Sequence, residues 1–196
     1  MRAVDPGVVR IQLNIGMHLS NRIHLALAVG LLGLSACKNA STIPPGYLAE
    51  TKHKTKADWT KKPSGTDEAA VKNAFLKFTQ LMNSSQFEEA MPLYGWRDYE
   101  RLIAYNSDTS STDYVGLIKR ACGQNGFKCS ATVKEIVSIK EPFPGEFYLQ
   151  VLYRNADGSP LQLCDSASCS TGPLGAWVIR RKDGTLAVMG LAPWQA

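Results

Sequence analysis

The spacing of apolar residues divides the chain beyond residue 65 into a helical half and a strand half. Val71, Phe75, Phe78 and Met82 recur at three- and four-residue intervals and share one face of a helix. Thr66 is placed to cap it, and Asp67 and Glu68 supply an acidic first turn. Ser85 and Glu88 have capping-box spacing at the start of a second helix, with Phe87, Ala90, Met91 and Tyr94 apolar and Pro92 set to bend or shorten it. Trp96 to Tyr105 fits a short third helix or a loop. After a Ser/Thr-rich break, Asp113 to Cys122 predicts another helix, stopped by Gly123. From Ser130 the period changes to two. Val133 to Ile139, Phe147 to Arg154, a short Leu161 to Cys164 and Ala176 to Arg181 read as strands, and Asp183-Gly184 makes a hairpin into Leu186 to Leu191. Phe147, Leu149, Val151 and Tyr153 share one face of their strand, with Gln150 and Arg154 on the other. Helices first and a meandering sheet afterwards define an α+β fold, with N-terminal helices packed on a curved antiparallel β-sheet that has one face covered and one partly wet.

The chain before residue 65 follows neither pattern. From Met17, the polar residues His18, Arg22 and His24 precede an apolar run from Leu25 to Leu34, too short to cross the roughly 30 Å hydrocarbon layer as a helix. This is the arrangement of a signal peptide, and translation can start at Met17 because the preceding residues add nothing such a leader needs. Leu34-Ser35-Ala36-Cys37 resembles the lipobox of bacterial lipoproteins. The resemblance implies removal of residues 1–36 and lipidation of Cys37. It also implies a cell-envelope location facing the periplasm, and Lys38 directs the product to the outer membrane if the host has one. Residues 37–65, with Pro44, Pro45, Gly46, Pro63 and five lysines from Lys52 to Lys62, read as a flexible tether. Trp59 is its one large aromatic besides Tyr47, able to dock on the domain or dip into the membrane interface. Residues 66–196 form the globular domain.

Charge changes this picture little. The whole chain carries +5, with 22 Lys and Arg against 17 Asp and Glu. Removing the leader lowers the excess to about three charges. No stretch interleaves basic and aromatic residues, so nucleic acid is not among the expected partners. The membrane, held through the lipid, and an envelope protein or a small molecule are.

Four further cysteines occur as Cys122-x6-Cys129 and Cys164-x4-Cys169. Sequence-adjacent pairing closes two short loops, and disulfides persist outside the cytoplasm. A four-cysteine zinc site is the alternative, but the spacings are not the usual ones and no histidine is at hand.

Val71-Lys72-Asn73-Ala74-Phe75-Leu76, then Phe87-Glu88-Glu89-Ala90, then a run of long strands, resembles the nuclear transport factor two-like superfamily. That resemblance covers roughly residues 66 to 192 and implies a cone between helices and sheet, used by members as an active site, a binding pocket or an assembly surface. Catalytic members often place a histidine or aspartate in the cone. Here the histidines are His18 and His24 in the leader and His53 in the tether.

Other chemistry is sparse. Phosphate-cradling glycine loops and nucleophile elbows are absent from the sequence. The cluster Tyr94, Trp96, Asp98, Tyr99, Glu100 and Tyr105 has a composition that suits a polar ligand pocket, but reads more simply as a helix cap and core aromatics beside a solvated acidic face. In a regular strand Ala131, Val133, Val137 and Ile139 face the core together with Glu135. Buried there, Glu135 would have a raised pKa and anchor a ligand or donate a proton in a pocket lined by Phe147, Tyr153 and Tyr94. A β-bulge near Glu135 and Ile136 would instead turn it outward. Two functions follow: a non-catalytic envelope binding or assembly module that needs no cofactor or metal, and an acid–base enzyme acting on a small ligand in the cone.

Overall fold

A computed structural model describes residues 44, 47, 48, 53, 55–164 and 168–193, all within one compact unit that spans Ala40–Ala196. The leader, the lipobox and Cys37 lie outside the described residues.

The first helix, α1 (Gly65–Asn83), buries Val71, Phe75, Phe78 and Met82, the four positions its periodicity selects. Its cap is Ser64 rather than Thr66. Ser64 has the extended backbone a cap requires, and its hydroxyl accepts from Asp67 N–H at 3.1 Å. The second helix, α2 (Phe87–Ala90), lasts a single turn and continues as a 3-10 turn (Met91–Leu93), because Pro92 supplies no amide hydrogen to extend an α pattern. The capping box does not form: Ser85 takes a left-handed φ of 59°, and Gln86 occupies the cap position without a side-chain bond. Two helices follow, α3 (Tyr99–Tyr105) and α4 (Tyr114–Gln124). Asp113 caps the latter by accepting from Gly116 N–H at 2.9 Å, and Gly123 is accommodated in the last turn rather than ending it.

The strands β1 (Thr132–Phe143), β2 (Glu146–Arg154), β5 (Leu174–Arg180) and β6 (Leu186–Val188) form an antiparallel sheet in the order β1-β2-β5-β6. The α+β class and the helices-then-sheet order are therefore as the patterning predicts. Tyr94 adds a parallel bridge to Val188 beyond the β6 edge. A separate small hairpin, β3 (Leu163–Cys164) with β4 (Cys169–Ser170), was only half anticipated, since two-residue strands carry no usable period. The β5–β6 turn uses Gly184 at φ 86°, a conformation that costs glycine little.

Alternation sorts the sheet into two faces. Phe147, Leu149, Val151 and Tyr153 of β2 point toward the helices and are buried, joined by Val178 and Val188. Between sheet and helices these residues meet Val71, Phe75, Phe78, Tyr94, Trp96, Leu102, Leu117 and Ile118 in one continuous core. Cys122–Cys129 pins the end of α4 to the chain entering β1, and Cys164–Cys169 closes the β3–β4 hairpin. With all four thiols in disulfides, the zinc alternative lacks its ligands.

The outer face is not simply wet. Tyr148 and Trp177 pair across β2 and β5 with ring centroids 5.1 Å apart, and Trp59 from the preceding segment meets both edge-on, at 5.3 and 5.9 Å. Gly175 makes room for this arrangement, since a Cβ there would lie 2.8 Å from a carbon of the Tyr148 ring. The segment read as a free tether is thus engaged over its described part. Asp58 N–H donates to Pro142 O at 3.0 Å, Glu141 N–H donates to Lys61 O at 3.0 Å, and Lys61 Nζ lies 2.9 Å from Glu141 Oε2. Further back, Leu48 N–H donates to Gly95 O at 3.1 Å, and Pro44 is buried. We call residues 44–64 the strap.

Candidate functional site

The cone expected to hold a ligand is largely filled by side chains. Of the residues assigned to it, Tyr94 and Phe147 are fully buried core residues. Tyr94 stacks on Phe78 at 5.8 Å and leans on Trp96 at 4.8 Å. Tyr153 borders a gap of about 110 Å³ beside Phe75 and Phe78, well below the roughly 300 Å³ at which small-molecule sites begin. Burial raises the Tyr153 phenol, and burial together with the Asp98 charge raises that of Tyr94, so both stay protonated through ordinary pH. Neither is placed to exchange a proton with a ligand.

Glu135 does not join them. Register shifts between Val133 and Glu135 and again between Ile136 and Ser138 interrupt the β1–β2 ladder. The first turns Ile136 inward opposite Val151 and leaves Glu135 exposed opposite Leu152; the second leaves Val137 exposed as well. The bulge reading accounts for this strand, and both Glu135 and Val137 leave the core face that a regular alternation would give them.

The aromatic–acidic cluster of Tyr94 to Tyr105 also resolves into separate roles. Tyr94, Trp96 and Tyr99 are core rings, and Asp98 accepts from Leu191 N–H at 3.1 Å and from the Tyr94 hydroxyl at 3.4 Å. Tyr105 is exposed. Trp96 borders one cavity, and Glu100 reaches another.

That cavity lies on the outer face, under the strap. It measures about 490 Å³, within the range of small-molecule sites. Its apolar walls come from Trp177, Ile179 and Met189 of the sheet side, Phe143 at the end of β1, and Tyr47 and Leu48 of the strap. Four charged or titratable side chains converge on it: His53, Arg97, Glu100 and Glu146. His53 stacks flat on Phe143 with ring centroids 3.5 Å apart and 6° between planes, and its Nε2 lies 3.0 Å from Glu146 Oε2. That contact fixes the orientation of the imidazole. Arg97 and Glu100 make no ion pair or side-chain hydrogen bond among the described residues, so both are free to meet a ligand.

Sequence reasoning missed this site. His53 and Glu146 are 93 positions apart and no spacing connects them. Trp177 sits on the non-core phase of β5, opposite Tyr148 on the non-core phase of β2. Large aromatics at paired outward positions were the available signal that this face is covered.

Among the described residues no group of three or more His, Cys, Asp or Glu is arranged to hold a metal, and no helix is long and apolar enough to cross a membrane. Comparison with family models, with characterised proteins and with solved structures finds no match for the chain.

Proposed function

We propose that the chain is an envelope lipoprotein, anchored through a lipid on Cys37, whose α+β domain is a non-catalytic binding module of nuclear transport factor two-like type. Its ligand site is the cleft on the outer face of the sheet. The observation that carries this reading is the distribution of space over the two faces of the sheet: beside Phe75, Phe78 and Tyr153 the core leaves a gap of about 110 Å³, while the outer cleft offers about 490 Å³ with aromatic walls and unpaired charges. Aromatic surface gives contact area at little entropic cost, and Arg97 and Glu100 give directional polar contacts. The partner is a small polar molecule or an envelope component presenting one.

The test is a mass-spectrometric search for a molecule that co-purifies with the full chain, repeated on Trp177→Ala. The reading requires a ligand bound by the native protein and lost from the variant. A ligand retained undiminished by a folded Trp177→Ala protein places the site elsewhere. Membrane attachment is tested by Cys37→Ser, which should no longer be cleaved after Ala36 and held on membranes.

One observation favours a second reading. The His53–Glu146 contact at 3.0 Å has the geometry of an oriented acid–base pair within a cleft. In an enzyme on this site, His53→Gln keeps ligand binding and abolishes turnover of the molecule recovered above; in a binding module there is no turnover to lose.

A further inference from the structure

Arg97 and Glu100 bring opposite charges to the strap cleft, and the chain that carries them is fixed on both sides of Arg97. Gly95 N–H donates to Val188 O at 2.7 Å, and Leu48 N–H donates to Gly95 O at 3.1 Å. Gly95 also lies close against Met189, a wall of the cleft, where a Cβ would meet the Met189 Sδ. Trp96 is buried in the core at φ 60°, a conformation strained for a bulky side chain. Such strain persists only where the surroundings enforce it, and it is commonest at functional sites. Asp98, on the other side, accepts from Leu191 N–H at 3.1 Å. Between these anchored residues Arg97 is exposed and borders the cleft, and Glu100, exposed as well, borders it from α3.

The other charged wall of the cleft is already engaged, since Glu146 Oε2 meets His53 Nε2 at 3.0 Å. Arg97 and Glu100 have no such contact. They stand three positions apart, yet they form no ion pair with each other or with any other described residue. Both are open to solvent, so a ligand in the cleft meets them by displacing water alone. A ligand with a single charge pairs with one of them and strips water from the other without replacing it. A ligand carrying both signs satisfies each.

We infer that the cleft takes an α-amino acid with a large apolar side chain, its carboxylate at Arg97, its ammonium at Glu100 and its side chain on Trp177, Ile179 and Met189. This rests on the assignment of the cleft as the ligand site and adds the chemistry of the ligand. Each part of the class follows from a named group. The guanidinium fork matches the two oxygens of a carboxylate, and a carboxylate side chain, which only accepts, suits an ammonium. Both protein charges come from one short stretch, so the two ligand charges must lie close together, as they do on a single α-carbon. The apolar floor and a volume of about 490 Å³ call for a hydrocarbon body beyond those charges, which glycine and a bare phosphoethanolamine lack.

The test removes one charge at a time from ligand and protein. Calorimetric titration of the full chain with L-phenylalanine is compared with 3-phenylpropionate, which lacks the ammonium, with phenethylamine, which lacks the carboxylate, and with glycine, which lacks the body. Phenylalanine should bind, and each of the three should bind at least about tenfold more weakly. In Arg97→Gln phenylalanine should bind no better than phenethylamine, and in Glu100→Gln no better than 3-phenylpropionate. Both side chains are exposed, so neither change threatens the fold. The inference is overturned by no saturable heat from millimolar phenylalanine, by single-charge analogues that match it in the native protein, or by O-phosphoethanolamine binding as tightly. Trp177→Ala separates that failure from failure of the cleft. A co-purifying ligand lost from this variant, in a protein indifferent to phenylalanine, keeps the cleft and removes the amino acid. Phenylalanine bound undiminished by the folded variant removes both.

Discussion

The two faces of one four-stranded sheet solve the same problem differently. The inner face is closed by helices whose apolar residues arrive at regular intervals, and nearly every side chain between them is dry: Phe147, Leu149 and Val151 are fully buried against Val71, Phe75 and Phe78. The outer face is covered by the strap, whose described residues form no helix or strand and touch down at separated points beside a cleft. A periodic element can match a periodic surface over its whole length and so excludes space. An irregular segment matches it only where individual residues happen to fit, and the mismatched stretches become cavities. In this protein the periodic helices build stability on one side of the sheet, and the irregular covering leaves room on the other.

The contrast is sharpest in the response to truncation. Phe75→Ala removes a ring 2% exposed from the centre of the inner layer and should cost about 3 to 5 kcal/mol, read as a shift in urea midpoint at unchanged slope. A cost near zero would mean that the inner layer does not bear the fold. The next largest effect belongs to Cys122–Cys129, which closes a loop whose Cys129 and Phe127 are themselves buried. Replacing both cysteines by serine should lower stability by about 2 kcal/mol through the freed unfolded chain, measured under the same denaturant series.

On the outer face the expected losses are smaller and local. Trp59 is half exposed but makes edge-on contacts with Tyr148 and Trp177. Trp59→Ala should cost about 1 kcal/mol, and its clearer signature is proteolytic. Trypsin should cut at Lys56 and Lys61 in the variant while Lys72 on α1 stays protected until global unfolding. Simultaneous cleavage at all three would show strap and core to be a single cooperative unit.

The smallest effect is one of pH. Burial works to raise the Glu141 carboxyl, but the Gly145 N–H at 3.0 Å and the Lys61 ammonium outweigh it and hold its pKa below the ordinary range. A carboxyl whose folded pKa is lowered contributes stability that is complete above its unfolded pKa and is lost as pH falls through the folded value. Strap docking at Pro142 and Glu141 should therefore loosen at acid pH below the usual glutamate range. Hydrogen exchange at the Asp58 and Glu141 amides should show it, and Glu141→Gln should abolish the pH dependence.

What could be read from the sequence divides along the same line. Helix α1 and the inner phase of β2 were legible because Val71 to Met82 and Phe147 to Tyr153 each repeat with the period of their own element. The disulfide pairs were legible because short loops constrain partner choice. Less local matters were not. Ser64 displaced Thr66 as a cap through its backbone conformation, and the bulges that turn Glu135 and Val137 outward depend on pairing with β2 rather than on β1 alone. The strap cleft was hidden for a stronger reason. Pro44 to Lys61 has the composition of a linker, and its contacts are individual fits to Gly95, Phe143, Glu146 and Trp177 far along the chain. The outward pair Tyr148 and Trp177 was the part of that site visible in strand alternation.

A docked strap also shortens the leash. Were residues 37–65 free, the fully extended chain from Cys37 would let the domain range about 95 Å from a lipid at that cysteine. With Leu48 already hydrogen-bonded to Gly95, eleven positions separate it from Cys37, an extended reach of about 38 Å. If Cys37 carries the lipid, the strap-covered face stays within a few nanometres of the bilayer surface, and the molecules it samples are those presented at that surface.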